Sequence, residues 1–434
     1  LTFIYPRWVI DPSAWWQYLY PLAALAALVG AWWWRTRSRA PLATALLFGG
    51  TLVPALGFVD VFPFRYSFVA DHFVYLASIP VIAFVSAGVA RAAERWGGAP
   101  GRTTAAAAVV LGVVLGVVLG GLTWSQSRDY ADAETLYEAT LRRNPAAWMA
   151  HNNLGRLLVD AGRLDEAREH LDASLRLRSD VPEPRFALGL LELRQARLPE
   201  AAAQFGEAVR LDPDFAEARN NLGFVRLRQG RPAEALREFD EARRLQPTLA
   251  PAHRNACEAL VQLGRPGDAA VACEKALRLD PGSPEAHYQL GIALFWLGRP
   301  GDAVAQYEAS LRVRPDEAQV RSDLGVALQQ LDRRAEAIAQ FEEAVRLDPR
   351  LVSARFHLGN VFVDAGRLDE AVAHYTAALA VSPDDAVMHH NLGVALEGLN
   401  RLREAAAQYR EALRLRPDFP QARDSLSRVN NGLR

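Results

Sequence analysis

Several familiar signatures of chemistry are missing from this chain. There is no His-Glu-x-x-His, no Cys-x-x-Cys and no glycine loop of the kind that cradles phosphate. No Ser, His and Asp stand in an order that suggests nucleophilic catalysis. Lysine is almost absent: Lys275 is the only one, so the positive charge is arginine. That bias reads more readily as genome composition than as function. Net charge is −1, which removes the bulk electrostatic attraction a nucleic-acid partner would need. The sequence opens on Leu1 and lacks a basic start, apolar run and small-residue cleavage site in that order. We therefore expect a fragment whose N-terminal part is missing.

What is present falls into two unlike halves. Residues 1–124 are apolar and rich in tryptophan; residues 125–434 are rich in Ala, Arg, Leu and Glu. In the first half, stretches over 15–34, 40–59, 73–90 and 103–124 approach or reach the roughly 20 helical residues that span a bilayer core. Trp15-Trp16 and Trp32-Trp33-Trp34 bracket the first, as interfacial aromatic belts do. Arg35, Arg37 and Arg39 follow the first stretch, and Arg91, Arg95 and Arg102 the third. Positive charge in short loops marks the cytoplasmic side, so the loop near 60–72 and everything after Trp124 should face away from it. The expected location is the inner (plasma) membrane, with an extracytoplasmic second half.

The second half is periodic. Proline recurs at 145, 213, 247, 281, 315, 349, 383 and 417, every interval being 34 except a first one of 68. Glycine falls in step at 155, 189, 223, 291, 325, 359 and 393, and an aromatic at 205, 239, 307, 341, 375 and 409. A period of 34 is the mark of tetratricopeptide repeats, stacked helix–turn–helix units. Small residues admit close helix contact, the aromatic fills space between neighbouring units, and proline stops the second helix. Gly162, Gly230, Gly264, Gly298, Gly366 and Asn400 suit a left-handed turn between the helices. The expected fold is all-α: a transmembrane bundle of about four spans, then a repeat solenoid. The boundaries are 1–124 for the membrane region, 125–147 for a joining half-repeat, 148–419 for eight repeats, and 420–434 for a capping helix.

In the fourth repeat Cys257 replaces the usual glycine and Cys273 the usual aromatic. The glycine position is expected to face Ala269, one turn from Cys273, which makes a bridge geometrically marginal. Buried free thiols are the expectation, although an oxidising compartment permits a disulfide.

Two sets of residues are candidates for binding. Position six of the first helices holds Asn153, Asn221, Asn255, Gln289, Asp323, His357 and Asn391, with Ala187 interrupting. Asparagines so arrayed can hydrogen-bond an extended peptide backbone. In this the chain resembles the peptide-binding repeats of the nucleocytoplasmic O-GlcNAc transferases, which implies a protein or peptide partner. His151, His253, His287 and His389 share position four, too far apart to hold one metal ion at bond lengths of ~2 Å.

The second set lies in FRYSFVADHFVYLASIP, residues 64–80. Arg65, Tyr66, Asp71 and His72 lie at the outer membrane edge, where charge inside the bilayer would cost roughly 2.5–3.5 kcal/mol per residue. One reading is an interfacial helix cap with an Arg65–Asp71 pair; the other is a polar ledge for an anionic lipid-linked donor. This stretch, with further spans and a long repeat array, resembles the transmembrane-and-tetratricopeptide O-mannosyltransferases and their bacterial relatives. They are polytopic C-superfamily glycosyltransferases. The resemblance implies a polyprenyl-phosphate sugar donor, a membrane lipid bilayer around the chain, and an acceptor protein on the repeats. No cofactor within this fragment and no metal are expected from the residues themselves. The family's catalytic acid belongs upstream of Leu1, so no catalytic residue carries over; Arg65, Tyr66 and Tyr75 carry over as donor-site or packing residues. A membrane-anchored scaffold without chemistry is the alternative.

Overall fold

The structure is a computed structural model and describes residues 19–37, 41–46 and 131–433. The chain divides into two compact units, Leu1–Pro213 and Asp214–Arg434. In the first unit, α1 (Leu19–Trp34) has 16 residues. Among the described residues no helix is long and apolar enough to cross a membrane. The expected spans at 73–90 and 103–124, and most of 40–59, lie outside the described residues.

The rest of the first unit is α2 (Ala133–Arg143), then the pairs α3 (Trp148–Asp160) with α4 (Leu164–Leu177) and α5 (Pro182–Arg194) with α6 (Leu198–Leu211). The second unit holds α7 (Ala216–Arg228) with α8 (Pro232–Leu245), α9 (Ala250–Gln262) with α10 (Pro266–Leu279), and α11 (Pro284–Trp296) with α12 (Pro300–Val313). It continues with α13 (Ala318–Gln330) and α14 (Arg334–Leu347), α15 (Val352–Asp364) and α16 (Leu368–Leu379), α17 (Ala386–Gly398) and α18 (Leu402–Leu415), and ends on α19 (Pro420–Gly432).

Local chemistry sets these lengths. Ala, Leu, Arg and Glu are strong helix formers. Proline begins several helices, where its missing N–H costs nothing and its φ is already helical. Each first helix ends on a left-handed residue. At Gly162 φ is +77°, and the amides of Gly162 and Arg163 bond back to the carbonyls of Val159 and Leu158. These two hydrogen bonds satisfy carbonyls that the helix end would otherwise orphan. Asn400 takes the same conformation at φ +60°, as do Ala196 at +57° and Asp332 at +59° where glycine is lacking.

The close approach of paired helices differs from the expected one. A Cβ on Gly325 would lie 2.5 Å from the Phe341 ring, so the aromatic packs on the glycine of its own repeat, 16 positions earlier. Gly189 with Phe205, Gly223 with Phe239, Gly359 with Tyr375 and Gly393 with Tyr409 repeat the contact. The expectation of free thiols is corrected for the same reason. Cys257 and Cys273 occupy the glycine and aromatic positions, their Cα atoms are 5.3 Å apart, and they form a disulfide. The helix pair places those two positions directly opposite one another, rather than glycine opposite alanine alone.

Candidate functional site: the seam of first helices

Within each unit, every first helix packs against its own second helix and against the first helix of the next repeat. The apolar side of α9, with Ala252, Ala256, Cys257 and Ala259, is fully buried. Position four is spent on structure. In the second unit His253, His287 and His389 bond through Nε2 to the carbonyls of Pro247, Pro281 and Pro383 at 2.9–3.1 Å. Arg321 and Arg355 hold the carbonyls of Pro315 and Pro349 in the same way. His287 and His389 also reach Gln306 and Gln408 through Nδ1, at 2.8 and 2.7 Å. The histidine series is therefore a brace between a helix and the turn before it. Among the described residues no group of His, Cys, Asp and Glu is disposed to hold a metal.

Positions five, six and nine meet across successive first helices and make a polar seam. In the second unit Asn255 donates to Asn220 at 3.0 Å, the Tyr288 hydroxyl donates to Asp323 at 2.7 Å, and Asn391 donates to Asn360 at 3.0 Å. Tyr375 also donates to Asn360, at 2.6 Å. Offsets of 35 and 31 residues, one period plus or minus a few, define this register. Between α15 and α17 the seam opens into a cavity of about 270 Å³ lined by Asn360, Val363, Asp364, Tyr375, Asn391 and Val394.

The position-six residues do not share one environment. Asn255 is buried, so it serves the seam and presents little to a ligand. Asn221, Gln289, Asp323, His357 and Asn391 are half-buried, and each keeps some surface. His357 stacks on Phe341 with ring centroids 5.4 Å apart, and burial holds its imidazole below the usual range. Burial raises the Asp323 carboxyl, while hydrogen bonds from Tyr288 and Gln319 oppose that rise. In the first unit Asn153 is half-buried and accepts from Asn152 at 3.3 Å. The candidate ledge Arg65, Tyr66, Asp71, His72 and Tyr75 lies outside the described residues. Sequence reading placed Tyr375 only in the aromatic column and missed Asn220, Tyr288 and Asn360. The signal that could have found them is the 31- or 35-residue offset, which pairs polar residues that the 34-residue period keeps in separate columns.

Models of the tetratricopeptide repeat match residues 125–182, 186–250, 260–322, 318–351 and 356–420. No curated protein matches the chain. Among solved structures the fold is similar to that of PilF from Pseudomonas aeruginosa, at 21% identity and TM-score 0.45, over 49% of this chain and 96% of that one. It is also similar to the APC/C hetero-tetramer Cut9–Hcn1, at 17% identity and TM-score 0.49, over 68% of this chain and 58% of that one. YrrB, a TPR protein with an unusual peptide-binding site, is 23% identical with TM-score 0.37, over 42% of this chain and 95% of that one.

Proposed function

This chain belongs to the tetratricopeptide-repeat family, and we propose on that basis that it is a protein–protein interaction scaffold whose second unit holds an extended partner segment along the seam of first helices. The observation that carries the reading is the seam itself. Half-buried Gln289, Asp323, His357 and Asn391 stand on four successive first helices, and the residues three positions on, Ile292, Val326, Asn360 and Val394, are half-buried and apolar in all but Asn360. Packed helices lie about 8–10 Å apart, and an extended chain advances about 3.3 Å per residue. One helix step thus corresponds to roughly three residues, so a strand-like segment meets a polar group at each of these repeats and an apolar patch at three of the four. Side-chain amides bond a peptide backbone without selecting its side chains.

The test is binding of fluorescent nine-residue peptide libraries to the full chain. Gln289→Ala with Asn391→Ala should weaken binding roughly tenfold, the loss of one or two good hydrogen bonds. Unchanged affinity would remove the seam as the binding surface.

A narrower reading places this scaffold in a membrane glycosyltransferase, with the repeats presenting acceptor protein to a polyprenyl-phosphate sugar. The stretch 64–80 favours it, as does the arginine pattern at 35–39 and 91–102. The cystine in repeat four suits the extracytoplasmic side on which that reading puts the repeats. Protease protection in cells with a permeabilised outer membrane tests the topology: cleavage of the repeats supports it, and protection until the inner membrane is lysed reverses it. Arg65→Ala in the full-length protein tests the chemistry, which fails if transfer is unaffected.

A further inference from the structure

Asp323 lacks the partner that its neighbours have. Among the described residues of the second unit, every other half-buried Glu lies 2.5–3.3 Å from an arginine nitrogen. Glu258 has Arg228, Glu285 has Arg314 and Glu397 has Arg428. Asp385, the other half-buried Asp, caps a helix by accepting from the amides of Val387 and Met388. Asp323 has neither device. Its oxygens accept from the Tyr288 hydroxyl at 2.7 Å and from Gln319 Nε2 at 3.1 Å, both neutral donors. The register that joins Asn360 to Asn391 puts Ile292, not an arginine, at the equivalent place beside Asp323.

A carboxylate removed from water without a counter-charge is costly, and proteins pair such groups. Among the described residues of the second unit, each half-buried acid has an arginine or a helix-capping role except at this one point on the surface proposed to hold a ligand. Tyr288 and Gln319 fix the carboxylate, and the residue keeps part of its surface. We propose that Asp323 anchors a cationic side chain, lysine or arginine, of the extended segment held along the seam. This rests on the scaffold reading and adds the chemistry of the partner. The incoming ammonium or guanidinium completes the charge pairing that Arg228 and Arg314 supply at neighbouring repeats, and desolvates with its carboxylate in one step. The flanking Ile292 and Val326 take the aliphatic stem of the same side chain.

The experiment uses the full chain and nine-residue libraries, random except for a central residue fixed as Arg, Lys, Gln, Glu or Leu. The Arg and Lys libraries should bind roughly tenfold more tightly than the Gln library, as expected of a partly desolvated ion pair. Asp323→Asn preserves the acceptor for Tyr288, so the fold is retained, and it should bring the Arg and Lys libraries down to the affinity of the Gln library. Glu308→Gln, an exposed acid on α12, should change nothing. High salt should narrow the preference in the unmodified chain, which checks the charge term without any substitution. Equal binding of the Arg, Lys and Gln libraries would overturn the anchor and leave the scaffold standing. Binding of no library would overturn both.

Discussion

Cys257 and Cys273 are bonded across α9 and α10 at the separation, 16 residues, at which glycine and an aromatic ring touch in the neighbouring repeats. Both are fully buried. The bond replaces a packing contact with a covalent one: without the ring, the helix pair would lose the body that fills its centre. Closing a loop of this size is worth about 3 kcal/mol in the chain-entropy account. Reduction, or Cys257→Ser with Cys273→Ser, should lower the melting temperature by a matching amount. Cys257→Gly with Cys273→Phe should restore most of the loss and make the melt indifferent to reductant. A chain whose melt ignores reductant from the start would show that the bond adds nothing.

The glycine columns separate packing from conformation. Gly325→Ala puts a methyl 2.5 Å from the Phe341 ring and should destabilise by about 1–3 kcal/mol through overpacking. Gly206 lies inside α6 with nothing within 4 Å of the added atom. Gly206→Ala should stabilise by about 0.5–1 kcal/mol through helix propensity. Denaturant titration of both variants checks the opposite signs.

Ala196 sits at φ +57°, where a Cβ crowds the following carbonyl. The other repeats use glycine or asparagine there, or Asp332. Ala196→Gly should therefore raise the melting temperature by a few degrees, corresponding to about 1 kcal/mol. A lowered melting temperature would mean that the turn tolerates the methyl without strain.

Burial depresses the His357 imidazole, which stacks on Phe341 and meets the Phe356 edge. Its folded pKa lies below the unfolded value near 6.5, so the unfolded chain binds the proton first as pH falls. The stability this group contributes is complete above pH 6.5 and declines as pH drops from there toward the folded pKa. His151, His170, His253 and His374 are depressed by burial as well and add to the same slope. Unfolding free energy should fall between pH 7 and pH 5, and His357→Gln should flatten part of that fall. An unchanged slope would assign the effect to the other histidines.

Much of the repeat half was legible from period alone, because each helix pair repeats the same few steric demands at the same spacing. Gly162, Gly230 and Asn400 could be placed in left-handed turns before any coordinate, since few other residues adopt that conformation at low cost. The seam was legible only in part. Position six was visible as a column, but hydrogen bonds run between columns, from position five or nine of one helix to position six of the next.

The amino-acid sequence by itself determined the 34-residue period, the turn chemistry and the all-α class of the repeats. It did so because these depend on local propensity and on steric rules that act within one helix pair. Only the tertiary structure decided that Cys257 meets Cys273, that Asn255 is consumed by Asn220, and that Asp323 is left without an arginine. Those outcomes depend on how two helix surfaces rotate and settle against each other, and a shift of one residue in that register would change every pair.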